Sequence, residues 1–156
     1  MADATEPVRQ FFAERGLPID IHIFADSSHT AELAAQRLGT AVRNIVKSLL
    51  FEVDTQPVLV LCSGDRRVDT ARLAEVCAAR NVQKASAKLT RSVTGYTIGG
   101  VPPVAHVTTL PVFMDEALLT CDTVYAAAGT AHSIFAIAPQ VLREVSGAQV
   151  VAVSEP

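Results

Sequence analysis

Lys47 is the one charged residue in the run Ile45-Val46-Lys47-Ser48-Leu49-Leu50-Phe51. On strand alternation it shares a face with Ile45, Leu49 and Phe51, read here as the inward face, with Val46, Ser48 and Leu50 on the other. An ammonium group on an inward face is costly unless it is paired or poised over a cavity, which makes Lys47 a candidate for site chemistry. Its surroundings also suit an edge-strand gatekeeper, or a side chain that buries its stem and keeps its head in water.

Three further clusters carry residue types with chemical potential. In Gly99-Gly100-Val101-Pro102-Pro103, glycine and proline permit a rigid loop whose amide N–H groups can be aimed at a developing oxyanion, though an ordinary tight turn has the same composition. Gly129-Thr130-Ala131-His132 sets an imidazole at the rim of a strand, as a general base, an orienting donor or a simple loop histidine. Ser28-His29-Thr30 precedes a helical stretch, where exposed amides favour anionic or carbonyl groups; capping alone accounts for Thr30.

Several familiar chemistries find no support. The chain has no HExxH, no GxxxxGK[ST] loop and no GxSxG elbow, and a zinc site would have to gather His22, His29, His106 and His132 from across the sequence. Cys62, Cys77 and Cys121 form no CxxC pair and read as reduced thiols of a cytosolic protein.

The elements that must position these residues follow from periodicity. Thr5 caps a helix carrying Val8, Phe11 and Phe12, which Gly16 and Pro18 end; Ile19–Phe24 alternates as a strand; Ala31–Leu38 is a helix stopped by Gly39. Ile45–Val53 and Val58–Cys62 form a hairpin through Asp54-Thr55-Gln56-Pro57. A helix capped near Asp69 or Thr70 follows, then a strand at Val82–Ala85 and a helix over Ser86–Val93. Val104–Val107, Val112–Met114, Thr123–Ala128, Ser133–Ile137 and Val150–Val153 read as strands, and Pro139 begins a helix reaching about Val145. Interleaved helices and strands with hairpins exclude a purely doubly wound fold. They predict an α/β (mixed α+β) protein: a mixed, curled, barrel-like sheet with helices packed around it.

The chain has 156 residues, which suits one domain over 1–156 by the prior of roughly 100–200 residues per domain. Apolar residues make up 49% and charged residues 19%, enough for one core and unlike a disordered protein. The N-terminus lacks a signal-peptide pattern and no apolar run could cross a bilayer, so a cytoplasmic protein that does not associate with membranes is expected. Net charge is -3, which does not advertise a nucleic-acid binder. The charge is uneven, however. Asp65 to Arg91 holds Arg66, Arg67, Arg72, Arg80, Lys84, Lys88 and Arg91 against three acidic residues, and Arg143 is the one basic residue beyond it. That segment is either a solvated helical face or a basic end that meets phosphates.

In order along the chain, these motifs resemble the YbaK-type aminoacyl-tRNA deacylases, whose domain also occurs as an insertion in bacterial prolyl-tRNA synthetases. The resemblance runs from about Pro7 to Val153. It rests on His29-Thr30-Ala31-Glu32-Leu33-Ala34-Ala35 with Leu38-Gly39, on Ile45-Val46-Lys47-Ser48-Leu49, and on Gly99-Gly100-Val101-Pro102-Pro103. Leu110-Pro111 through Asp115-Glu116 and Val124 to Gly129 with His132 complete it.

The resemblance implies metal-free, cofactor-free hydrolysis of the ester between an amino acid and the terminal adenosine of transfer RNA. The expected substrate is proline transfer RNA bearing a small wrong residue such as Cys, Ala, Ser or Thr. By the same resemblance Lys47 contacts the terminal phosphate or ribose, and the amides of Gly100 and Val101 hold the carbonyl oxygen as it becomes anionic. Ser28, His29, Thr30, Gly129 and His132 shape the pocket, with Gly99, Pro102 and Pro103 completing the loop. Arg66, Arg67, Lys84, Lys88 and Arg91 grip the RNA. The partners implied are the acceptor end of aminoacyl-tRNA and, further, a prolyl-tRNA synthetase, with the protein a monomer or weak dimer. Two alternatives stand beside this: a non-catalytic relative that binds transfer RNA or a synthetase as a regulatory module, and a hydrolase or binder of another small acyl adenosine.

Overall fold

The structure, a computed structural model, describes residues 3–26 and 30–156. Helix α1 (Glu6–Glu14) opens the chain with Pro7 in its first turn, where the missing N–H costs nothing. A short strand β1 (Ile21–Ile23) leads to α2 (Ala31–Leu38). Thr30 caps α2 by accepting from the Leu33 amide at 3.2 Å, and Gly39 ends it at φ +68. Strands β2 (Ile45–Val53) and β3 (Gln56–Ser63) form the predicted hairpin. The turn is tighter than the sequence suggested. Asp54 and Thr55 alone turn the chain, both at positive φ, so Gln56 and Pro57 already belong to β3. The Asp54 carboxylate secures that conformation by accepting from the amides of Arg80 and Asn81 at 3.1 and 2.8 Å.

β4 (Arg67–Val68), α3 (Thr70–Cys77), β5 (Val82–Lys84) and α4 (Ala87–Thr94) follow, with Asp69 and Ser86 as side-chain caps of the two helices. After a long loop come β6 (Val112–Asp115), β7 (Val124–Ala127), β8 (Ser133–Ile137), α5 (Pro139–Ser146), β9 (Gln149–Val151) and β10 (Ser154–Glu155). Val104–Val107 is not the expected strand. Two prolines precede it and Ala105 sits at φ +65, which breaks the extended backbone a ladder needs.

Eight strands form one mixed sheet in the order β1-β8-β7-β2-β3-β6-β9, with β5 joined to β2 as a branch. β2–β7, β3–β6 and β6–β9 are parallel and the remaining pairs antiparallel. The path ends at β1 and β9, so the sheet is mixed and helix-covered as predicted but does not close into a ring. β10 and β4 pair separately.

Both faces of β2 are buried, where the sequence suggested one inward face. Its larger core lies on the Val46 and Leu50 side, with Leu59, Leu61, Met114, Leu142 and the edge-to-face pair Phe12–Phe135. Phe51, Val53, Val58, Val60 and Leu73 form a second cluster, and Ile45 packs with Ala34, Ala35 and Ile134 in a third. A central strand is buried on both faces, so alternation alone cannot say which face is the interior.

Candidate active site

The branching of the sheet creates the site. Along one edge, β2 pairs with β3 from Val46 to Val53. Along the other, β7 covers Ile45 and Val46 and β5 covers Phe51 to Val53. Among the described residues no strand pairs with Lys47 to Leu50 on that second edge, although the Leu50 carbonyl accepts from the Ala85 amide at 3.0 Å. Residues two apart on a strand direct their peptide groups alike, so Ser48 turns its N–H and C=O toward this gap.

A cavity of about 350 Å³ occupies the gap. Its walls come from the start of α2 (Thr30, Ala31, Ala34), from Ile45 to Leu50 of β2, from Lys84 and Ala85, from Thr90 of α4, from Ile98, Gly99 and Val101, and from Ala127, Ser133 and Ile134. Gly64 also lines it. A Cβ there would lie 2.4 Å from the Val42 carbonyl oxygen, so the residue must be glycine for the wall to close.

Lys47 projects into this space from the middle of β2 and donates to the Arg66 backbone carbonyl, leaving its other protons for a ligand. Cys62 lies opposite Lys47 in the β2–β3 register, fully buried, with its sulfur 3.7 Å from the same carbonyl oxygen. Burial pushes the Cys62 thiol up to about 11 despite the nearby lysine, so it stays protonated at neutral pH and is no nucleophile.

Arg66 is held at both ends. Its guanidinium donates from Nε to Ser154 Oγ at 2.6 Å and from Nη2 to the Ser154 carbonyl at 3.2 Å. The buried Asp115 carboxylate accepts from Ser154 Oγ at 2.7 Å and from the Val153 amide at 2.9 Å.

The Gly99–Pro103 loop contributes Gly99 and Val101 to the same cavity. Thr97 to Gly100 is a turn with Gly99 at φ +92, and the Gly100 amide donates to the Thr97 carbonyl at 2.9 Å. That amide is therefore occupied. The Val101 amide has no partner among the described residues and Val101 lines the cavity, so of the two donors the sequence suggested, Gly100 and Val101, the second is unengaged. Gly100 packs against the next turn: a Cβ on it would lie 2.8 Å from Thr130 Cα. Pro102 and Pro103 are buried behind the lining. The Pro102 carbonyl accepts from His106 Nε2 at 2.7 Å, and Tyr96 Oη donates to the Ala105 carbonyl at 2.7 Å. Burial holds the His106 pKa below its ordinary value, which keeps the imidazole neutral under the loop.

The other sequence candidates fall in different places. Lys47, Thr30, Gly99, Val101 and Lys84 meet at the cavity. Gly129 and His132 do not line it. Gly129, at φ +114, lets the chain pass Ala4, whose carbonyl oxygen a Cβ would approach to 2.2 Å, and the His132 ring is exposed. Ser28 and His29 lie outside the described residues. Among the basic residues, Arg67 makes an exposed 3.2 Å ion pair with Glu155 and Arg91 caps its own helix at the Gly95 carbonyl, 3.0 Å away. Lys84 and Lys88 are exposed. Sequence reasoning overlooked Ser48 and Gly64, since a serine within a strand and a glycine after one carry no distinctive pattern.

Residues 25–145 match the family described as the aminoacyl-tRNA editing domain. The chain belongs to that family. The editing domain is 30% identical to the uncharacterized protein YwhH of Bacillus subtilis, over 92% of this chain and 91% of that one. It is 35% identical to a proline–tRNA ligase of Desulfovibrio desulfuricans over 66% of its own length but only 18% of the ligase, so it corresponds to a fraction of that enzyme. A crystal structure of a proposed trans-editing enzyme for prolyl tRNA synthetase superposes with a TM-score of 0.92 at 35% identity, covering 100% of this chain and 99% of that one. Among the described residues no helix is long and apolar enough to cross a membrane.

Proposed function

We propose that this editing domain acts in trans as an aminoacyl-tRNA deacylase, hydrolysing the ester between a small wrong amino acid and the terminal adenosine of proline transfer RNA. The observation that carries the reading is the convergence of the Lys47 side chain and Val101, whose amide is unengaged, on one cavity.

In this reading the Lys47 ammonium, steadied by the Arg66 carbonyl, holds the terminal phosphate or ribose and fixes the ester. The Val101 N–H takes the carbonyl oxygen as it gains charge, and water attacks the carbonyl carbon. An activated ester needs orientation and oxyanion stabilisation more than a strong protein nucleophile, which agrees with the protonated state of Cys62. Lys84 at the cavity and Lys88 nearby in sequence supply a basic approach for the acceptor stem. A prolyl-tRNA synthetase is the partner that would deliver the substrate.

The test is single-turnover deacylation of mischarged proline transfer RNA by the wild type and Lys47→Ala. The variant is expected to lose about 10²-fold in rate, as misplacing a bound ester by near 1 Å can cause. Equal rates would remove Lys47 from the mechanism.

A further inference from the structure

Among the described residues the cavity wall carries three charged side chains, Lys47, Lys84 and Glu32, so Glu32 is its one acid. Glu32 sits in the first turn of α2, and two contacts fix where that turn lies. Thr30 Oγ1 accepts from the Leu33 amide at 3.2 Å, and Ala31 packs so close to Gly64 that a Cβ on the glycine would lie 3.0 Å from the Ala31 Cβ. The glutamate is exposed, and its carboxylate makes no hydrogen bond or ion pair with a described residue. An acid in a first turn also complements the helix dipole, but that role needs no cavity beside it.

Lys47 and Glu32 therefore line one cavity as opposite charges that do not neutralise each other. The lysine stands on β2, steadied by the Arg66 carbonyl, and the glutamate stands on α2. Opposite charges held apart match a ligand whose own charges are separated in the reverse sense. The end of an aminoacyl-tRNA is such a ligand. Phosphate lies on the nucleotide side of the ester, and the α-ammonium lies on the other side, one carbon from the reacting carbonyl. Attraction at a partly enclosed wall exceeds the same attraction in bulk water.

We infer that Glu32 binds the α-ammonium of the aminoacyl group, so that the domain removes residues with a free α-amine and spares esters that lack one, peptidyl esters included. This rests on the deacylase reading above and adds what the substrate must carry at its α-carbon. With Lys47 on the nucleotide side and Glu32 at the α-carbon, the ester is held from both ends, and orientation is what an activated ester needs. A hydroxyl in place of the ammonium would give the carboxylate a hydrogen bond from an uncharged donor, the weaker contact.

The experiment compares proline transfer RNA carrying alanine with the same RNA carrying lactate, in which a hydroxyl of similar size replaces the α-ammonium. For each ester kcat/KM is divided by the rate of spontaneous hydrolysis, which removes the difference in intrinsic reactivity. The wild type is expected to favour the alanyl ester by about tenfold, the lower end for a charge-assisted hydrogen bond because Glu32 is exposed. Glu32→Gln is expected to lose that preference. A wild type without the preference overturns the inference, as does a variant that keeps it. A variant that slows both esters by the same factor assigns Glu32 to the helix alone and overturns it too. If the wild type hydrolyses neither ester, the deacylase reading fails separately. Binding of the non-hydrolysable 3′-alanylamino and 3′-lactylamino adenosines then decides the matter: an alanyl preference lost in Glu32→Gln supports the role of Glu32, and equal affinities overturn it.

Discussion

The two halves of β2 are built alike and used differently. From Phe51 to Val53 the strand is flanked by β3 and β5, and Phe51 and Val53 are buried in an apolar cluster. From Lys47 to Leu50 it keeps β3 but has no strand on its other side, and there the protein places an ammonium and an unsatisfied hydroxyl. Four residues without a second neighbour suffice to turn a structural strand into the floor of a site. The paired end is wholly structural, whereas the open end combines core residues such as Leu50 with the Lys47 ammonium at the cavity.

Substitutions in each half test that division. Phe51→Ala empties the paired end and should lower unfolding free energy by about 3–5 kcal/mol in denaturant titrations, while the rate per folded molecule holds. If activity falls out of proportion to the folded fraction, the halves are not separable. Beside the open half, Gly100→Ala pushes a methyl group toward the Thr130 backbone and displaces the loop that lines the cavity. Single-turnover deacylation should slow by about 10²-fold, as misplacement near 1 Å can cause, with little change in Tm; an unaltered rate would show that the loop's seat against Thr130 is not needed.

The smallest effect concerns His106 beneath the same loop. Its pKa is lowered by burial from the ordinary 6.5, so the unfolded chain binds the proton more readily than the folded one. The stability it contributes is full above about pH 6.5 and declines as pH falls toward and through its lowered folded value. His106→Gln should flatten that acid limb in pH-dependent melting; an unchanged limb would assign it to other groups.

How much of this was legible beforehand depended on whether the signal was local. Lys47 stood out because a charge interrupted an apolar run, and the Gly99–Pro103 loop because two glycines and two prolines cannot be regular structure. Caps at Thr30 and Asp69 marked helix starts through a hydrogen bond spanning two or three residues, whereas Thr5, expected to cap α1, makes no such bond. What escaped was set by partners far away. Ser48 looked ordinary because the strand it lacks is missing in space and not in sequence. The second buried face of β2 was not legible because the helices that cover it arrive from elsewhere in the sequence. The second glycine turn looked like a wall of the site, yet Gly129 serves the passage of Ala4. The Gly100 amide looked available until the Thr97 carbonyl was seen to hold it.

Arg66 joins the last strand of the sequence to a single charge. Its guanidinium is moored to Ser154 while its carbonyl receives the lysine, so the place of the ammonium is decided partly by a strand 88 residues downstream. A change near that distant strand would be felt at the Lys47 ammonium with no contact to it, through the tilt of one peptide plane.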